Sequence, residues 1–148
     1  STIAVGCDHG GFTLKGRLAD ELRSLGHEVI DLGTHSAGRV DYPDFGAAVG
    51  RSVAGGEAEL GVCVCGSGIG IAMAANKIPG IRAATVHDAT SARLAREHND
   101  ANVLCLGERL VDPEVASEAV RAWLGAEFEG GRHIGRVAKL AELDGSGT

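Results

Sequence analysis

The feature that most constrains the fold is an alternation between short β-branched runs and longer amphipathic segments. Five runs are predicted to be strands, at 2–7, 27–33, 59–66, 81–87 and 102–107. Each is followed by a segment with helical spacing, and the first of these repeats leucine from Leu14 to Leu25 on one face. Strands that are apolar on both faces and alternate with helices are typical of a parallel sheet covered by helices. The sequence therefore predicts an α/β fold, a single-domain Rossmann-like αβα sandwich with a five-stranded parallel sheet.

The length of the chain limits how many domains it can form. Its 148 residues with 44% hydrophobic content suffice for one core and are too few for a comfortable second one. The predicted helices cover 12–26, 44–56, 69–77, 88–99, 112–125 and a final segment within 129–144. We expect one domain over 1–148, with residues 144–148 as a frayed tail.

Charge and cysteine usage narrow the possible partners and the compartment. The net charge of −6 and the pI near 5.4 argue against a nucleic acid or a membrane surface as partner. No segment has the apolar length of a membrane span, and the N-terminus lacks a signal-peptide pattern. The cysteines Cys7, Cys63, Cys65 and Cys105 lack CxxC spacing, so we expect reduced thiols. A soluble cytoplasmic protein is predicted.

Polar residues follow three of the predicted strands. The first strand leads into Asp8 and His9, the third into Cys65 and Ser67, and the fourth into His87. Ligands of open α/β sheets bind beyond the carboxyl ends of the strands. These side chains are therefore expected at one edge of the sheet.

Cys65 stands where the hydrophobic run VCVC gives way to the glycine loop GSGIG. If a helix begins within that loop, its unpaired N–H groups and positive dipole end would stabilise a thiolate and make it a base or nucleophile. Gly66, Gly68 and Gly70 would let backbone N–H groups approach a developing oxyanion, with Ser67 as a further donor. The alternative is a small buried hydrophobic residue, which is what most cysteines in apolar strands are. Position alone does not decide between these interpretations.

Other interpretations of the same loop are weaker. The dinucleotide pattern GxGxxG fails because its third glycine falls on Ile71. The Lys-Ser/Thr pair of a Walker loop is absent, although a phosphate-cradling helix N-terminus would fit. Cys63 and Cys65 form a CxC pair on one strand face, but no His or further Cys at a familiar spacing completes a metal site.

Two further features lie towards the C-terminus. Arg132 and Arg136 fall one turn apart on a predicted helix and would suit a phosphate, or would form an ordinary solvated face. His98 ends a helix at the amino-end edge of the sheet, where a histidine commonly caps the helix dipole. Because that edge is far from Cys65, a catalytic His98 would have to come from a second subunit.

Several separated segments together closely resemble the ribose-5-phosphate isomerase B family, which includes galactose-6-phosphate isomerase subunits. These segments are GCDHGGFTLK, DYPDFG, CGSGIGIAMAANKIPGIRA, REHNDANVLCLGER and AWLGAEFEGGRH, and they span nearly the whole chain. The resemblance implies a metal-independent aldose–ketose isomerase that needs no cofactor and acts through an enediolate. Ribose 5-phosphate and ribulose 5-phosphate are the leading substrate and product. One branch of the family uses glutamate at the position of Ile71, so the presence of Cys65 indicates the cysteine branch.

The resemblance also implies roles for individual residues. The implied catalytic set is Cys65, Ser67, His98 and Asp8. The implied substrate-binding set is His9, Tyr42, Gly66, Gly68, Gly70, Asn99, Arg109, Arg132 and Arg136. Cys65 would be the base, and His98 would assist opening of the furanose ring. Each site would be shared by the two chains of a homodimer, and pairing of dimers into tetramers is left open.

Three alternatives remain open at this point. In the first, the protein is an isomerase of another sugar phosphate, namely allose 6-phosphate, galactose 6-phosphate or a tetrose phosphate, because the same chemistry serves all of them. A non-catalytic sugar-phosphate sensor would keep the arginines and the glycine loop without needing a thiolate. A dinucleotide-dependent oxidoreductase would bind NAD, which the residue at position 71 disfavours.

Overall fold

Strands and helices alternate as the sequence pattern predicts. The computed structural model of the protein describes residues 1–145. The strands are β1 (Thr2–Cys7), β2 (Glu28–Asp31), β3 (Leu60–Cys65), β4 (Ala83–Thr85) and β5 (Val103–Gly107). The helices are α1 (Phe12–Ser24), α2 (Tyr42–Ala54), α3 (Ile69–Asn76), α4 (Ala89–Asn99), α5 (Pro113–Gly125) and α6 (Arg132–Glu142). A 3-10 turn over His9–Gly11 leads into α1.

The five strands form one parallel sheet in the order β2-β1-β3-β5-β4, which confirms the predicted sheet. The chain moves from β1 outward to β2 on one side, and from β3 towards β5 and β4 on the other. The order therefore reverses between β1 and β3, the position where open α/β sheets leave a crevice for ligands. Cys7 is aligned with Val64 across this pair, so the segments that follow β1 and β3 leave the sheet side by side.

Two helical layers cover the sheet. On one face α1, α4 and α5 bury Leu18, Leu104 and Trp123 in a common core. On the other face α2 and α3 pack on a smaller core that contains Cys63 and Cys65. Because side chains alternate along a strand, β3 sends its valines to the first core and its cysteines to the second. Both cores share the sheet, and we therefore propose a single domain, as the sequence predicts.

The structure corrects some predicted boundaries. β4 covers Ala83–Thr85 and is shorter than the predicted 81–87. The side-chain amide of Asn76 bonds both the N–H and the C=O of Ala83, at 2.8 and 2.9 Å. This pairing covers the outer edge of the sheet, where a strand would otherwise leave backbone groups open. α2 begins at Tyr42 rather than at residue 44, since Pro43 is tolerated in a first helical turn.

The C-terminal part of the chain is attached more loosely. Among the described residues of α6 only His133 is buried. Asp144 accepts a hydrogen bond from the Gly80 N–H at 2.8 Å, so the start of the predicted tail belongs to the folded structure, while 146–148 lie outside the described residues. None of the helices in the described part of the chain has the length and apolar character to cross a membrane.

Candidate active site

A cavity of about 560 Å³ opens at the carboxyl ends of β1 and β3, and we call it the Cys65 cavity. It is lined by Asp8, His9, Gly10, Tyr42, Cys65, Gly66, Ser67, Ile69, Gly70, Met73, Arg109 and Leu110. Its walls thus come from the segments that follow β1, β3 and β5 and from the first turns of α2 and α3. The structure brings together most of the residues that the sequence places at this edge.

Cys65 is the last residue of β3 and lies at the start of α3. Its Sγ accepts a hydrogen bond from the Gly68 N–H at 3.1 Å, and α3 begins one residue later, at Ile69. The positive end of the helix and this N–H group both favour a negative sulfur. The side chain is 4% exposed but lines the cavity, so a small ligand reaches it without a change of fold.

The other thiols are in a different environment. Cys7, Cys63 and Cys105 are fully buried in the two cores. Burial raises the pKa of Cys7 to about 11, in spite of the nearby Lys15. A hydrogen bond with Cys63, together with burial, raises the pKa of Cys105 well above its ordinary value. Cys7 and Cys105 therefore stay protonated near neutral pH.

Two positions in the glycine loop require glycine for separate reasons. Gly68 has a φ of 75°, and a Cβ at this position would lie 2.7 Å from the carbonyl carbon of Leu106. A Cβ on Gly70 would lie 2.6 Å from the ring of Tyr42. The first glycine sets the path of the backbone into α3, and the second lets the Tyr42 ring close one wall of the cavity.

Ser67 lines the cavity, and its hydroxyl group is available as a hydrogen-bond donor. Its Oγ accepts a hydrogen bond from the Ile69 N–H at 3.2 Å. A hydroxyl has one donor and two acceptor positions, so its own proton is left for a ligand oxygen. The neighbouring backbone is tied to the segment after β5, because the Arg109 N–H donates to the Gly66 carbonyl at 3.0 Å. The loop is thus braced before any ligand arrives.

Asp8 and His9 form the opposite wall. Asp8 is 8% exposed, and its Oδ1 accepts a hydrogen bond from the Gly10 N–H at 2.9 Å. The Nδ1 of His9 lies 3.1 Å from the nitrogen and 3.2 Å from the oxygen of Val40. Nε2 is therefore the His9 nitrogen that is left for a ligand. This wall offers a carboxylate oxygen and an imidazole nitrogen to the cavity.

Four predicted site residues lie outside this cavity: His98, Asn99, Arg132 and Arg136. His98 ends α4 and stacks on His133 of α6, with ring centroids 4.5 Å apart and an angle of 14° between the rings. The Glu129 Oε1 lies 3.4 Å from Nε2 of His98 and 3.8 Å from Nε2 of His133. We call His98, Glu129, Arg132, His133 and Arg136 the His98 cluster.

The two arginines of the His98 cluster are exposed on the first turns of α6. Burial, together with the neighbouring His98, Arg132 and Arg136, lowers the pKa of His133, while Glu129 acts in the opposite direction. The structure thus separates the predicted residues into a thiol-centred cavity and a cationic cluster on another part of the chain.

The arrangement in the cavity suits proton transfer next to a carbonyl group. Such a reaction needs a base, donors for the oxygen that becomes negative, and a cation that holds the rest of the substrate. Cys65 meets the first requirement, Ser67 and the N–H groups at the start of α3 meet the second, and Arg109 stands at the rim for the third.

Comparison with known proteins agrees with this chemistry. A family model described as Ribose/Galactose Isomerase matches residues 3–140. The chain belongs to this family. Ribose-5-phosphate isomerase B of Escherichia coli is 50% identical over 142 residues, which cover 96% of this chain and 95% of that protein. The D-erythrulose-4-phosphate isomerase of Pectobacterium atrosepticum is 41% identical over 140 residues, with 94% and 92% covered.

The fold agrees with solved structures of the ribose/galactose isomerase family. The ribose-5-phosphate isomerase B of Clostridium thermocellum superposes with a TM-score of 0.98 at 51% identity, and the match covers 100% of both chains. The α/β fold predicted from the sequence is therefore that of the family.

One residue expected at the sheet edge does not join the cavity. His87 follows β4 as predicted, but it is exposed and is absent from the cavity lining. Its N–H donates to the Ser91 Oγ at 3.2 Å, and the next residue, Asp88, caps α4. The turn into α4 therefore directs His87 away from the Cys65 cavity.

Several lining residues were not found by reasoning from the sequence. Ile69, Met73 and Leu110 are apolar, about half exposed or more, and stand at the cavity rim. Exposed apolar side chains around a cavity are a common sign of a surface that another molecule covers. For Ile69 and Met73, the sequence signal that could have indicated an exposed apolar surface is that α3 is apolar on all sides. The same pattern also fits a buried helix.

In the part of the chain that the structure describes, one group has donor atoms close enough to hold a metal ion. These are the ring nitrogens of His98 and His133 and a carboxylate oxygen of Glu129, within 4.8 Å of one another. The two rings are stacked nearly parallel, so their nitrogen lone pairs run side by side and do not converge on one point. This geometry fits a stacked histidine pair rather than a metal site.

Proposed function

We propose that the protein interconverts ribose 5-phosphate and ribulose 5-phosphate through an enediolate, with Cys65 as the base. The observation that carries the proposal is the position of this thiol, at the start of α3 and inside a cavity whose loop supplies N–H and hydroxyl donors. Membership of the ribose/galactose isomerase family, and the 50% identity to a ribose-5-phosphate isomerase B, support the choice of substrate.

The proposed chemistry moves one proton between neighbouring carbons. The Cys65 thiolate removes the proton from C2 of the open-chain aldose, and O1 takes up the negative charge. Ser67 and the N–H groups at the start of α3 stabilise this oxygen, which then receives the proton that O2 loses. The thiol returns its proton to C1, which leaves the ketose and restores the thiolate.

Other residues of the cavity hold the substrate. We assign the Nε2 of His9 and the guanidinium of Arg109 to the phosphate, since both stand at the rim of the cavity. The second carboxylate oxygen of Asp8 accepts a hydrogen bond from a sugar hydroxyl, because the first is occupied by the Gly10 N–H. Tyr42 forms the wall beside the sugar.

The remaining assignments require a second subunit. We propose a homodimer in which α6 of one chain closes the Cys65 cavity of the other, so that Arg132 and Arg136 reach the phosphate and His98 reaches the ring oxygen. Two kinds of surface support this arrangement. Apolar side chains stand exposed at the cavity rim, and α6 with the residue that follows it exposes Ile134, Leu140 and Leu143. Joining the two surfaces would remove both from water.

A second candidate is an isomerase of another sugar phosphate, with the same base and the same donors. Identities of 41% to a D-erythrulose-4-phosphate isomerase and of 43% to a galactose-6-phosphate isomerase subunit support a tetrose phosphate and a hexose phosphate, respectively. For either substrate we place the protein in the cytoplasm, because the four described cysteines form no disulfide and suit a reducing compartment.

The test measures conversion of ribose 5-phosphate to ribulose 5-phosphate in EDTA by the wild type, Cys65→Ala and Cys105→Ala. Proton transfer by a positioned base is worth about 10² to 10⁴ in rate, so we expect a loss of this size in Cys65→Ala alone. Cys105→Ala is the matched control, since it removes a thiol that lies outside the cavity.

Other outcomes would select another function. Turnover of a tetrose or hexose phosphate without turnover of ribose 5-phosphate would favour the second candidate. Binding of sugar phosphates without turnover, unchanged by alkylation of Cys65, would instead indicate a sensor. Full activity in folded Cys65→Ala would overturn the assignment of the base.

A further inference from the structure

The peptide unit between Gly68 and Ile69 is held from both sides. On one side the Thr85 Oγ1 donates a hydrogen bond to the Gly68 carbonyl at 2.7 Å. On the other side the Ile69 N–H donates to the Ser67 Oγ at 3.2 Å. The C=O and N–H of a trans peptide point in opposite directions, so an anchor on the oxygen also sets the direction of the nitrogen. Thr85 thereby keeps the Ile69 N–H turned towards Ser67.

Thr85 occupies a suitable place for this task. It is the last residue of β4 and is aligned with Cys105 of β5, so its backbone belongs to the sheet. The Gly68 backbone lies against the end of β5, because a Cβ there would meet Leu106 at 2.7 Å. A rigid strand therefore holds the hydroxyl at a fixed distance from the loop. Sites built on strands are positioned more accurately than sites built on loops alone.

The contacts form a chain that ends at the reacting oxygen. Thr85 donates to the Gly68 carbonyl, the Ile69 N–H donates to Ser67, and the Ser67 proton is left for a ligand. Hydrogen bonds in series polarise one another, so each donor strengthens the next. The same loop donates the Gly68 N–H to the Cys65 sulfur. The oxyanion donors and the base thus share one short backbone segment.

Resting on the proposed function, we infer that Thr85 is a positioning residue for the isomerisation. Its hydroxyl fixes the Gly68–Ile69 peptide, so that the Ile69 N–H holds the Ser67 oxygen and leaves the Ser67 proton for the place where O1 becomes negative. Thr85 touches neither the substrate nor Cys65. It lowers the barrier by removing the need for the loop to reorganise when charge develops.

The experiment compares Thr85→Val, Thr85→Ser and the control Thr90→Val. Valine keeps the shape of threonine without the hydroxyl, serine keeps the hydroxyl, and Thr90 is an exposed residue of α4. Loss of a direct oxyanion donor costs about 10²- to 10³-fold in kcat, so for this indirect contact we expect about tenfold in Thr85→Val. KM should stay within about twofold, and Thr85→Ser and Thr90→Val should keep the wild-type kcat.

If the Thr85 hydroxyl were only structural, Thr85→Val would unfold at a lower temperature but would keep the kcat of the wild type. Thermal unfolding measures the stability of each variant. The inference is overturned if folded Thr85→Val keeps the full kcat. It is equally overturned if Thr85→Ser loses as much activity as Thr85→Val, a comparison that remains decisive when the valine variant folds poorly.

A second measurement does not depend on isomerase activity. The rate of Cys65 alkylation by iodoacetamide at pH 7 reports the thiolate next to the Gly68 N–H and needs no substrate. We expect Thr85→Val to slow this reaction several-fold and Thr85→Ser to leave it unchanged. If the wild type proves inactive on sugar phosphates, the proposed function fails, whereas unchanged alkylation in Thr85→Val contradicts the positioning role itself.

Discussion

The Cys65 cavity and the His98 cluster differ in how completely their own chain supports them. In the cavity, the groups assigned to chemistry have backbone partners: the Cys65 sulfur bonds the Gly68 N–H, and the Ser67 hydroxyl bonds the Ile69 N–H. In the cluster, the arginines stand exposed on α6, a helix that buries only His133 among its described residues. The first region is thus held in place by its own backbone, whereas the second exposes its cations to the surroundings of the chain.

The proposed homodimer would account for the separation of these two regions on a single chain. The cavity lies at the carboxyl ends of the strands, and His98 lies in the last turn of α4, near the opposite edge of the sheet. In the proposed symmetric dimer, each subunit would offer one of these edges and receive the other. The predictions below test whether the two regions meet in this way.

The largest effect is expected when two inactive chains are mixed. We predict that Cys65→Ala and His98→Ala are each nearly inactive alone, and that subunit exchange restores about a quarter of the wild-type activity. Half of the randomly exchanged dimers contain one chain of each kind, and each of these has one intact site. Activity is measured before and after exchange, and exchange itself is followed with chains that carry different tags.

The control for this prediction mixes Cys65→Ala with Ser67→Ala. Both substitutions lie in the same cavity, so each site of the mixed dimer carries one defect and no activity should return. Recovery in this control, or no recovery in the first mixture despite proven exchange, would contradict a site divided between the cavity and the cluster.

A smaller effect is expected from the arginines of the cluster. Arg136→Ala should raise KM for the sugar phosphate by about 10- to 100-fold and leave kcat almost unchanged, because a hydrogen bond between charged groups contributes about 1.5–3 kcal/mol to binding. Lys139→Ala is the matched control, since it removes an exposed cation of the same helix. Steady-state kinetics and inhibition by inorganic phosphate measure the effect. Equal changes in both variants would indicate general attraction by charge rather than a phosphate contact.

The sequence was sufficient for the fold class because β1, β3 and β5 are apolar on both faces and segments with helical spacing follow the strands. The order of β5 and β4 was not predictable in this way, since it depends on which helices pack on which face. The partner on the outer side of β4 was not predictable either, because the Asn76 amide takes the place of a further strand beside Ala83.

The candidate site was predictable where local chemistry determines it. A cysteine between a strand and a glycine loop indicates a thiol at a helix start, and the structure has this arrangement at Cys65. Thr85 was missed because a threonine in a β-branched run fits an ordinary strand. Its contact with Gly68 crosses two elements, and sequence spacing carries no sign of it. The roles assigned to His98 and the arginines came from family resemblance and stay predictions.

The smallest effect concerns pH and belongs to the cluster. Burial and the neighbouring His98, Arg132 and Arg136 lower the pKa of His133, and the Glu129 carboxylate opposes them. The unfolded histidine has a pKa of about 6.5, so below that pH the unfolded chain binds more protons at this position than the folded chain does. The free energy of unfolding therefore decreases as the pH falls from about 6.5 through the lower pKa of the folded state.

We expect His133→Gln to flatten this acid-side decrease, so that Tm falls less between pH 7 and pH 5 than it does in the wild type. His87→Gln is the control, because His87 is exposed and lies outside both regions. Thermal unfolding at several pH values measures the slope. A slope unchanged by His133→Gln, or changed equally by His87→Gln, would mean that the cluster does not disfavour protonation of His133. The stacked pair of histidines would then be held by packing against Phe128 rather than by its charge state.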